Sequence, residues 1–126
     1  MMRFRGLIPI IRTTDLADTI AFYVTNLGFR CIDRNDDWGW AVVQRDRVNI
    51  MLALPSDDMP YSEPAFTGSF YIRVDDIDAL WEQVRTRLSI CSPLRNVSYG
   101  MREFAAFDNN GYLLQFGQPL TQPLNA

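Results

Sequence analysis

Residues 15–29 read DLADTIAFYVTNLGF, and this stretch decides the fold of the chain. Asp15 is of a residue type that caps helix N-termini, and Gly28 is of the type that ends helices. Between them, apolar side chains recur at the spacing of one helical face: Leu16, Ile20, Tyr23, Val24 and Leu27. The spacing predicts a helix, preceded by a strand over residues 7–13 and followed by a strand over residues 29–33.

A second copy of this pattern begins about sixty residues later, at Asp75 and Asp76. Its helical stripe consists of Ile77, Leu80, Trp81, Val84 and Leu88. The motif Trp38-Gly39-Trp40 is matched by Tyr99-Gly100-Met101, which makes Tyr99 the counterpart of Trp38. Spacings that drift slightly between two copies are typical of a duplicated unit with loop insertions.

Each copy is predicted to contain one strand, one helix and three further strands. The remaining predicted strands cover residues 38–44 and 48–54 in the first copy, and 69–74, 101–107 and 112–117 in the second, with another beginning at Ile90. The fold class is therefore α+β, a single domain of two tandem βαβββ modules over residues 1–126. We expect the modules at residues 1–54 and 69–117, a proline-rich linker at 55–68 and a tail at 118–126.

Composition excludes several classes of function. The chain has no histidine and no lysine, which rules out Ser-His and Cys-His nucleophiles and lysine Schiff bases. A net charge of −3 without a basic cluster argues against a nucleic-acid partner. No apolar run approaches the roughly 20 residues of a membrane helix, so we expect no membrane partner and a cytoplasmic location. Cys31 and Cys91 are interpreted as buried free thiols.

The motifs resemble those of the vicinal oxygen chelate superfamily, which includes glyoxalase I, extradiol dioxygenases and bleomycin-resistance proteins. The resemblance runs from about Leu7 to Gly117. Its most specific part, Tyr99-Gly100-Met101-Arg102-Glu103-Phe104 followed by Asp108-Asn109-Asn110-Gly111-Tyr112, is most similar to the bacterial bleomycin-resistance branch. The resemblance implies a curved mixed-sheet cleft and a homodimer.

Metal-dependent members of the superfamily place four ligands, usually His and Glu, at fixed points of the repeat. By motif, those points are occupied here by Ile8, Met51, Ser69 and Gln115. Divalent ions need imidazole or deprotonated oxygen ligands, and none of the four residues supplies one. We therefore expect no metal and no other cofactor.

Strand alternation indicates which side chains face the expected cleft, because every second residue of a strand shares one face. If Ser69 faces the cleft, then Tyr71 and Arg73 do as well. Glu103 is the acidic residue that lies inside a strand rather than in a turn, and Tyr99 matches an aromatic that stacks on the drug in bleomycin-resistance relatives. The predicted ligand-binding residues are Trp38, Trp40, Met51, Tyr71, Arg73, Tyr99, Arg102, Glu103 and Gln115, with no catalytic residue.

These observations predict a metal-free small-molecule-binding protein that sequesters an aromatic or cationic, antibiotic-like ligand, such as a bleomycin-like compound, without turnover. One alternative is a metal-independent lyase-like or isomerase-like enzyme of the same superfamily that uses Glu103 or Tyr71. A further alternative is a regulatory or structural dimer whose groove is filled by its own side chains. Turnover separates the first two functions, and cavity volume separates both from the third.

Overall fold

The computed structural model describes residues 2–120, and the chain divides into two compact units, Met1–Ser62 and Glu63–Ala126. The first unit contains β1 (Ile10–Arg12), α1 (Leu16–Leu27), β2 (Arg30–Asn35), β3 (Trp40–Arg45) and β4 (Val48–Ala53). The second contains β5 (Phe70–Arg73), α2 (Ile77–Val84), β6 (Ser89–Val97), β7 (Met101–Phe107) and β8 (Leu113–Pro119). The predicted α+β fold with two βαβββ modules is confirmed.

Each unit forms its own four-stranded mixed sheet with the same topology. The strand orders are β1-β4-β3-β2 and β5-β8-β7-β6. The first strand of each unit pairs in parallel with the last, and the other pairs are antiparallel. The parallel pair is possible because a helix makes the crossover between its strands.

The helix ends follow from local chemistry. The Asp15 side chain accepts a hydrogen bond from the Asp18 N–H at 2.9 Å, and Gly28 ends α1 at a φ of 69°. In the second unit the cap is Asp76 rather than Asp75, and it accepts from the Ala79 N–H at 3.1 Å. Both caps satisfy backbone donors that a helix leaves unpaired at its N-terminus.

One face of each sheet packs on the helix of its own unit. In the first unit, Val43, Ile50 and Leu52 are buried with Tyr23 and Leu27 of α1. In the second, the rings of Phe104 and Phe116 stack at 4.9 Å, and Trp81 of α2 lies 5.1 Å from Phe104. The alternate residues of the same strands lie on the other face, which is where the candidate site is found.

Four details of the predicted elements were wrong. The first strand covers Ile10–Arg12 rather than 7–13, and Trp38 lies in the turn before β3 rather than in a strand. Val24, expected on the buried stripe of α1, is exposed. Cys31 and Cys91 are free but exposed, because each lies on an edge strand, β2 or β6, at an irregularity of its pairing.

Among residues 2–120, no helix is long and apolar enough to cross a membrane. Strand β8 continues to Pro119, two residues into the segment predicted as a tail, and residues 121–126 lie outside the described part of the chain.

Candidate functional site

The first unit has an open groove of about 570 Å³ on the sheet face opposite α1. Trp38, Trp40 and Met51 line it together with Ile10 and Arg12. The rest of its lining comes from the β2–β3 turn and the segment after β4: Asp36, Asp37, Gly39, Ala53, Leu54, Pro55 and Ser56. Because Trp38 is 83% exposed, its indole is available to a ligand without any rearrangement of the core.

The tight β2–β3 turn explains how the two tryptophans reach this groove. Gly39 has a φ of 74°, and a Cβ there would approach the Leu54 Cδ1 to 2.9 Å. The Gly39 N–H donates to the Asn35 carbonyl and its own carbonyl accepts from the Leu54 N–H, both at 2.8 Å. Glycine at this place therefore holds the turn against the segment after β4, with one tryptophan on each side of it.

Arg12 lies at one end of the groove. Its Nη1 donates to the Leu54 carbonyl at 3.2 Å. At the rim, Asp36 pairs with Arg34 at 2.7 Å, and Asp37 is exposed. The groove thus combines apolar walls with charges of both signs at its edges.

In the second unit, the same sheet face carries a cluster of two tyrosines and a carboxylate. The Tyr71 hydroxyl donates to the Glu103 Oε2 at 2.7 Å, and the Tyr99 hydroxyl donates to the Glu103 Oε1. Tyr71 comes from β5, Glu103 from β7, and Tyr99 from the turn between β6 and β7. We call Tyr71, Tyr99 and Glu103 the tyrosine–glutamate cluster.

Gly117 makes room for this cluster. It lies between Arg73 on β5 and Glu103 on β7 in the strand register. A Cβ at Gly117 would approach the Tyr71 Oη to 2.0 Å, which no real contact allows. The phenol of Tyr71 therefore lies directly over the backbone of β8, and sequence analysis missed this function of the glycine.

The surroundings hold both phenols in their protonated form. Partial burial of the phenol, followed by the hydrogen bond to Glu103, raises the pKa of Tyr71 above that of an ordinary tyrosine. The hydrogen bond to Glu103 also raises the pKa of the exposed Tyr99. Both hydroxyls are therefore hydrogen-bond donors to the carboxylate at any physiological pH.

The positions equivalent to metal ligands do not fit a divalent ion. Ile8 has no donor atom, and Met51 has only a thioether sulfur. The Ser69 hydroxyl and the Gln115 Oε1 lie 2.5 Å apart and satisfy each other. Within the described residues 2–120, no group of three or more His, Cys, Asp or Glu residues is arranged to hold a metal.

The structure groups the predicted ligand-binding residues by unit. Trp38, Trp40 and Met51 line the groove of the first unit, and Tyr71, Tyr99 and Glu103 form the cluster of the second. Arg73 is exposed on β5 beside Tyr71, and Gln115 bonds Ser69. The sequence alone does not predict four further lining residues, because only the folded turn and segment bring them to the groove: Asp36, Asp37, Pro55 and Ser56.

Arg102 is separated from the other predicted residues. Neighbouring residues of β7 face opposite sides of the sheet, so Arg102 lies on the face opposite Glu103. There its guanidinium donates to Asp78 of α2 at 2.9 Å and to Asn96 of β6 at 3.0 Å. Its contacts tie the end of the β6–β7 hairpin to the helix. In this structure Arg102 therefore supports the hairpin that carries Tyr99.

The strand register also changes the correspondence between the two copies. Ala41 pairs with Leu52 in the first unit, and Phe104 pairs with Phe116 in the second. When these two pairs are aligned, Trp40 corresponds to Glu103. Trp38 lies two residues before Trp40, whereas Tyr99 lies four residues before Glu103. Tyr99 is therefore not the strand counterpart of Trp38. The same place in the sheet holds an indole in one unit and a carboxylate in the other.

Comparisons with known proteins identify the family. The family model described as the Glyoxalase/Bleomycin resistance protein/Dioxygenase superfamily matches residues 7–116. The chain belongs to this superfamily.

Relatives within the superfamily are similar over nearly their whole length. A bleomycin resistance protein of Geobacillus stearothermophilus is 31% identical over 129 residues, with 90% of this chain and 96% of that protein covered. The bleomycin-binding protein of bleomycin-producing Streptomyces verticillus, solved with copper(II)-bleomycin, is 26% identical, with a TM-score of 0.71 and coverage of 92% and 97%. A superfamily member from Sphaerobacter thermophilus, 20% identical, shares the fold at a TM-score of 0.79, with coverage of 94% and 99%.

Proposed function

We propose that this superfamily member binds and sequesters an aromatic or cationic, antibiotic-like small molecule without turnover and without a metal or other cofactor. The observation that carries the proposal is the groove of the first unit, with Trp38 and Trp40 open to a ligand. Its volume of about 570 Å³ lies in the range of pockets for drug-sized ligands, roughly 300–1,000 Å³. The similarity to bleomycin resistance and bleomycin-binding proteins supports a bleomycin-like ligand.

Stacking alone does not account for tight binding. Two indole contacts contribute about 1–3 kcal/mol beyond the burial of apolar area. A micromolar complex needs about 8 kcal/mol, so apolar surface in the groove, including Met51 and Ile10, has to supply the larger share. Sequestration by this groove therefore requires a ligand with an extended flat apolar part.

The rival function is a metal-independent lyase-like or isomerase-like reaction at Glu103 or Tyr71. Both oxygens of the Glu103 carboxylate accept phenolic hydrogens, and each keeps a further lone pair. Tyr71 keeps its proton at neutral pH and cannot act as a base. The groove with its two tryptophans therefore favours binding over a reaction that uses Tyr71 as a base.

Thermal unfolding with added ligand tests the proposal. Bleomycin, phleomycin and a mitomycin are each added separately to purified protein. A ligand present at a hundred times its Kd stabilises the native state by about 2.7 kcal/mol, which raises the unfolding midpoint. We expect a higher midpoint with at least one of them, recovery of that compound unchanged by mass spectrometry, and no stoichiometric divalent metal in protein purified without chelator. A Trp38→Ala/Trp40→Ala variant is the matched control and should lose the shift.

Three results would contradict the proposal. Steady conversion of a compound to a product would favour the enzyme. A metal ion bound at one per chain would overturn the metal-free mode. Equal midpoint shifts in the control variant would move the binding site away from the groove.

We further propose that the protein acts as a homodimer in the cytoplasm. The free thiols Cys31 and Cys91 suit a reducing compartment, where exposed cysteines stay reduced. Exposed apolar side chains near the N-terminus, among them Phe4 and Leu7, support the dimer.

A further inference from the structure

In the part of the chain that the structure describes, the Glu103 carboxylate has no cationic partner. Among residues 2–120 the ion pairs are Arg34–Asp36, Arg85–Glu82 and Arg102–Asp78, and none includes Glu103. Its two oxygens instead accept hydrogen bonds from the neutral phenols of Tyr71 and Tyr99. A half-buried carboxylate without a counter-ion attracts a cation more strongly than a carboxylate that is already paired.

The hydrogen bonds also fix which kind of group can be that partner. A phenol has a single hydrogen, and both phenols use theirs on the carboxylate. The lone pairs on the phenol and carboxylate oxygens are the hydrogen-bonding sites that remain. The cluster therefore offers acceptors and no donor to a ligand. A neutral acceptor or an anion finds nothing to bind, whereas a cation with several N–H donors matches both the charge and the hydrogen bonding.

The position of the cluster is also that of a ligand-facing site. Glu103 occupies the register position that Trp40 occupies in the first unit, where the indole lines the groove. Gly117 leaves the space in which the Tyr71 phenol meets the carboxylate. The three side chains are thus held in one arrangement by two strands and a turn before any ligand arrives.

We propose that the tyrosine–glutamate cluster recognises the protonated amine or guanidinium group of an organic ligand. The inference deepens the proposed function and rests on it, since it names the chemical group of a small-molecule ligand that the second unit would bind. Arg73 and Arg95 are close enough to lower the pKa values of Tyr71 and Tyr99 slightly, but neither bonds the carboxylate, so the cation-accepting oxygens stay available.

Three small probes with the same ring test the proposal: phenethylamine, phenethyl alcohol and phenylacetate. Protein with carbon-13 at the tyrosine Cζ gives one NMR signal for each of its five tyrosines, and Tyr71→Phe and Tyr99→Phe identify two of them. We expect phenethylamine to shift the Tyr71 and Tyr99 signals and to bind about tenfold more tightly than phenethyl alcohol. Phenylacetate should leave both signals in place, and the buried Tyr23 and Tyr112 serve as internal references.

Glu103→Gln keeps the size of the side chain and removes its charge, so it should abolish the preference for the amine. Glu82→Gln is the matched control, because Glu82 is an exposed carboxylate of the same unit that pairs with Arg85 at 3.3 Å. It should retain the preference. If Glu103→Gln does not fold, the spectra of the unmodified protein with the three probes decide the matter alone.

Three outcomes would overturn the inference. The first is equal affinity for phenethylamine and phenethyl alcohol. The second is a preference for the amine that persists in folded Glu103→Gln. The third is a shift of the same tyrosine signals by calcium ions at lower concentrations than the amine requires. If bleomycin raises the unfolding midpoint but phenethylamine shifts no tyrosine signal, sequestration is supported and the amine subsite is contradicted. If phenethylamine shifts the tyrosine signals but bleomycin does not raise the midpoint, the amine subsite is supported and a bleomycin-like ligand is contradicted.

Discussion

At the scale of single residues, the three tryptophans differ in what surrounds them. Trp38 and Trp40 line the open groove of the first unit, whereas Trp81 packs on Phe104. Sequence periodicity placed Trp81 on the core-facing stripe of a helix, and in the structure it is half-buried against Phe104. It could not distinguish a tryptophan in a strand from one in a turn, which is why the strand predicted for Trp38 was wrong.

Replacement of Trp38 or Trp40 by alanine should each weaken ligand binding by about 0.5–1.5 kcal/mol or more, because each removes one stacking surface. Titration calorimetry with the compound that raises the unfolding midpoint measures the change. Alanine at Tyr71 or Tyr99 should also weaken binding. Folding should survive in the Trp38 variant, since that side chain is 83% exposed.

Fluorescence supplies the control for these variants. Ligand should change the emission of Trp38 and Trp40 and leave that of Trp81 unchanged, so a Trp81→Phe variant should show the full response. Unchanged affinity in all four aromatic variants would show that the ligand binds elsewhere on the chain.

At the scale of elements, the β7–β8 hairpin shows how a turn motif acquires a structural function. Asp108 is 5% exposed, and its side chain accepts hydrogen bonds from the Asn110 N–H at 2.8 Å and the Tyr112 N–H at 2.9 Å. Gly111 follows with a φ of 99°, which suits glycine. The turn was predicted from its composition, but burial of its aspartate depends on the packing around the hairpin.

Asp108→Ala should lower the free energy of unfolding by about 2–4 kcal/mol, because it leaves two backbone N–H groups without their acceptor, one of them buried. Chemical denaturation measures the loss. Asp108→Asn keeps one acceptor oxygen and should lose less, and Asp57→Ala, at an exposed linker position, should change little. A loss below about 0.5 kcal/mol for Asp108→Ala would mean that water replaces the carboxylate in the turn.

At the scale of the whole molecule, large apolar side chains near the N-terminus are solvent-exposed in the single chain. Met2, Phe4 and Leu7 are 88%, 95% and 90% exposed. Edge strand β2 adds Ile32, which is also exposed. Exposed apolar groups and open strand edges favour association, and closed two-fold dimers are its commonest form.

We therefore expect light scattering to give about twice the chain mass of 14.5 kDa at micromolar concentration. Serine at Phe4 and Leu7 should shift the equilibrium towards the monomer, because it removes apolar surface that the dimer would bury. Serine at the exposed linker residue Met59 is the control and should leave the mass unchanged. A mass near that of one chain in the unmodified protein would rule the homodimer out.

The order of elements, the two helix starts and the β7–β8 turn could be derived from the sequence because they depend on local chemistry, and the superfamily was identified from the resemblance of the motifs. A capping aspartate, a glycine with positive φ and an apolar stripe act within a few residues of themselves. The face of a strand that carries Tyr71 also follows from alternation, since its period is fixed at two.

Relative positions across a sheet do not follow from such patterns. The bond from Tyr71 to Glu103 depends on β5 and β7 flanking β8 in register, with a glycine between them. The ion pair of Arg102 depends on α2, which brings Asp78 within 2.9 Å of its guanidinium. These contacts join residues more than twenty positions apart, and their geometry is set by strand register and packing rather than by neighbours in the chain.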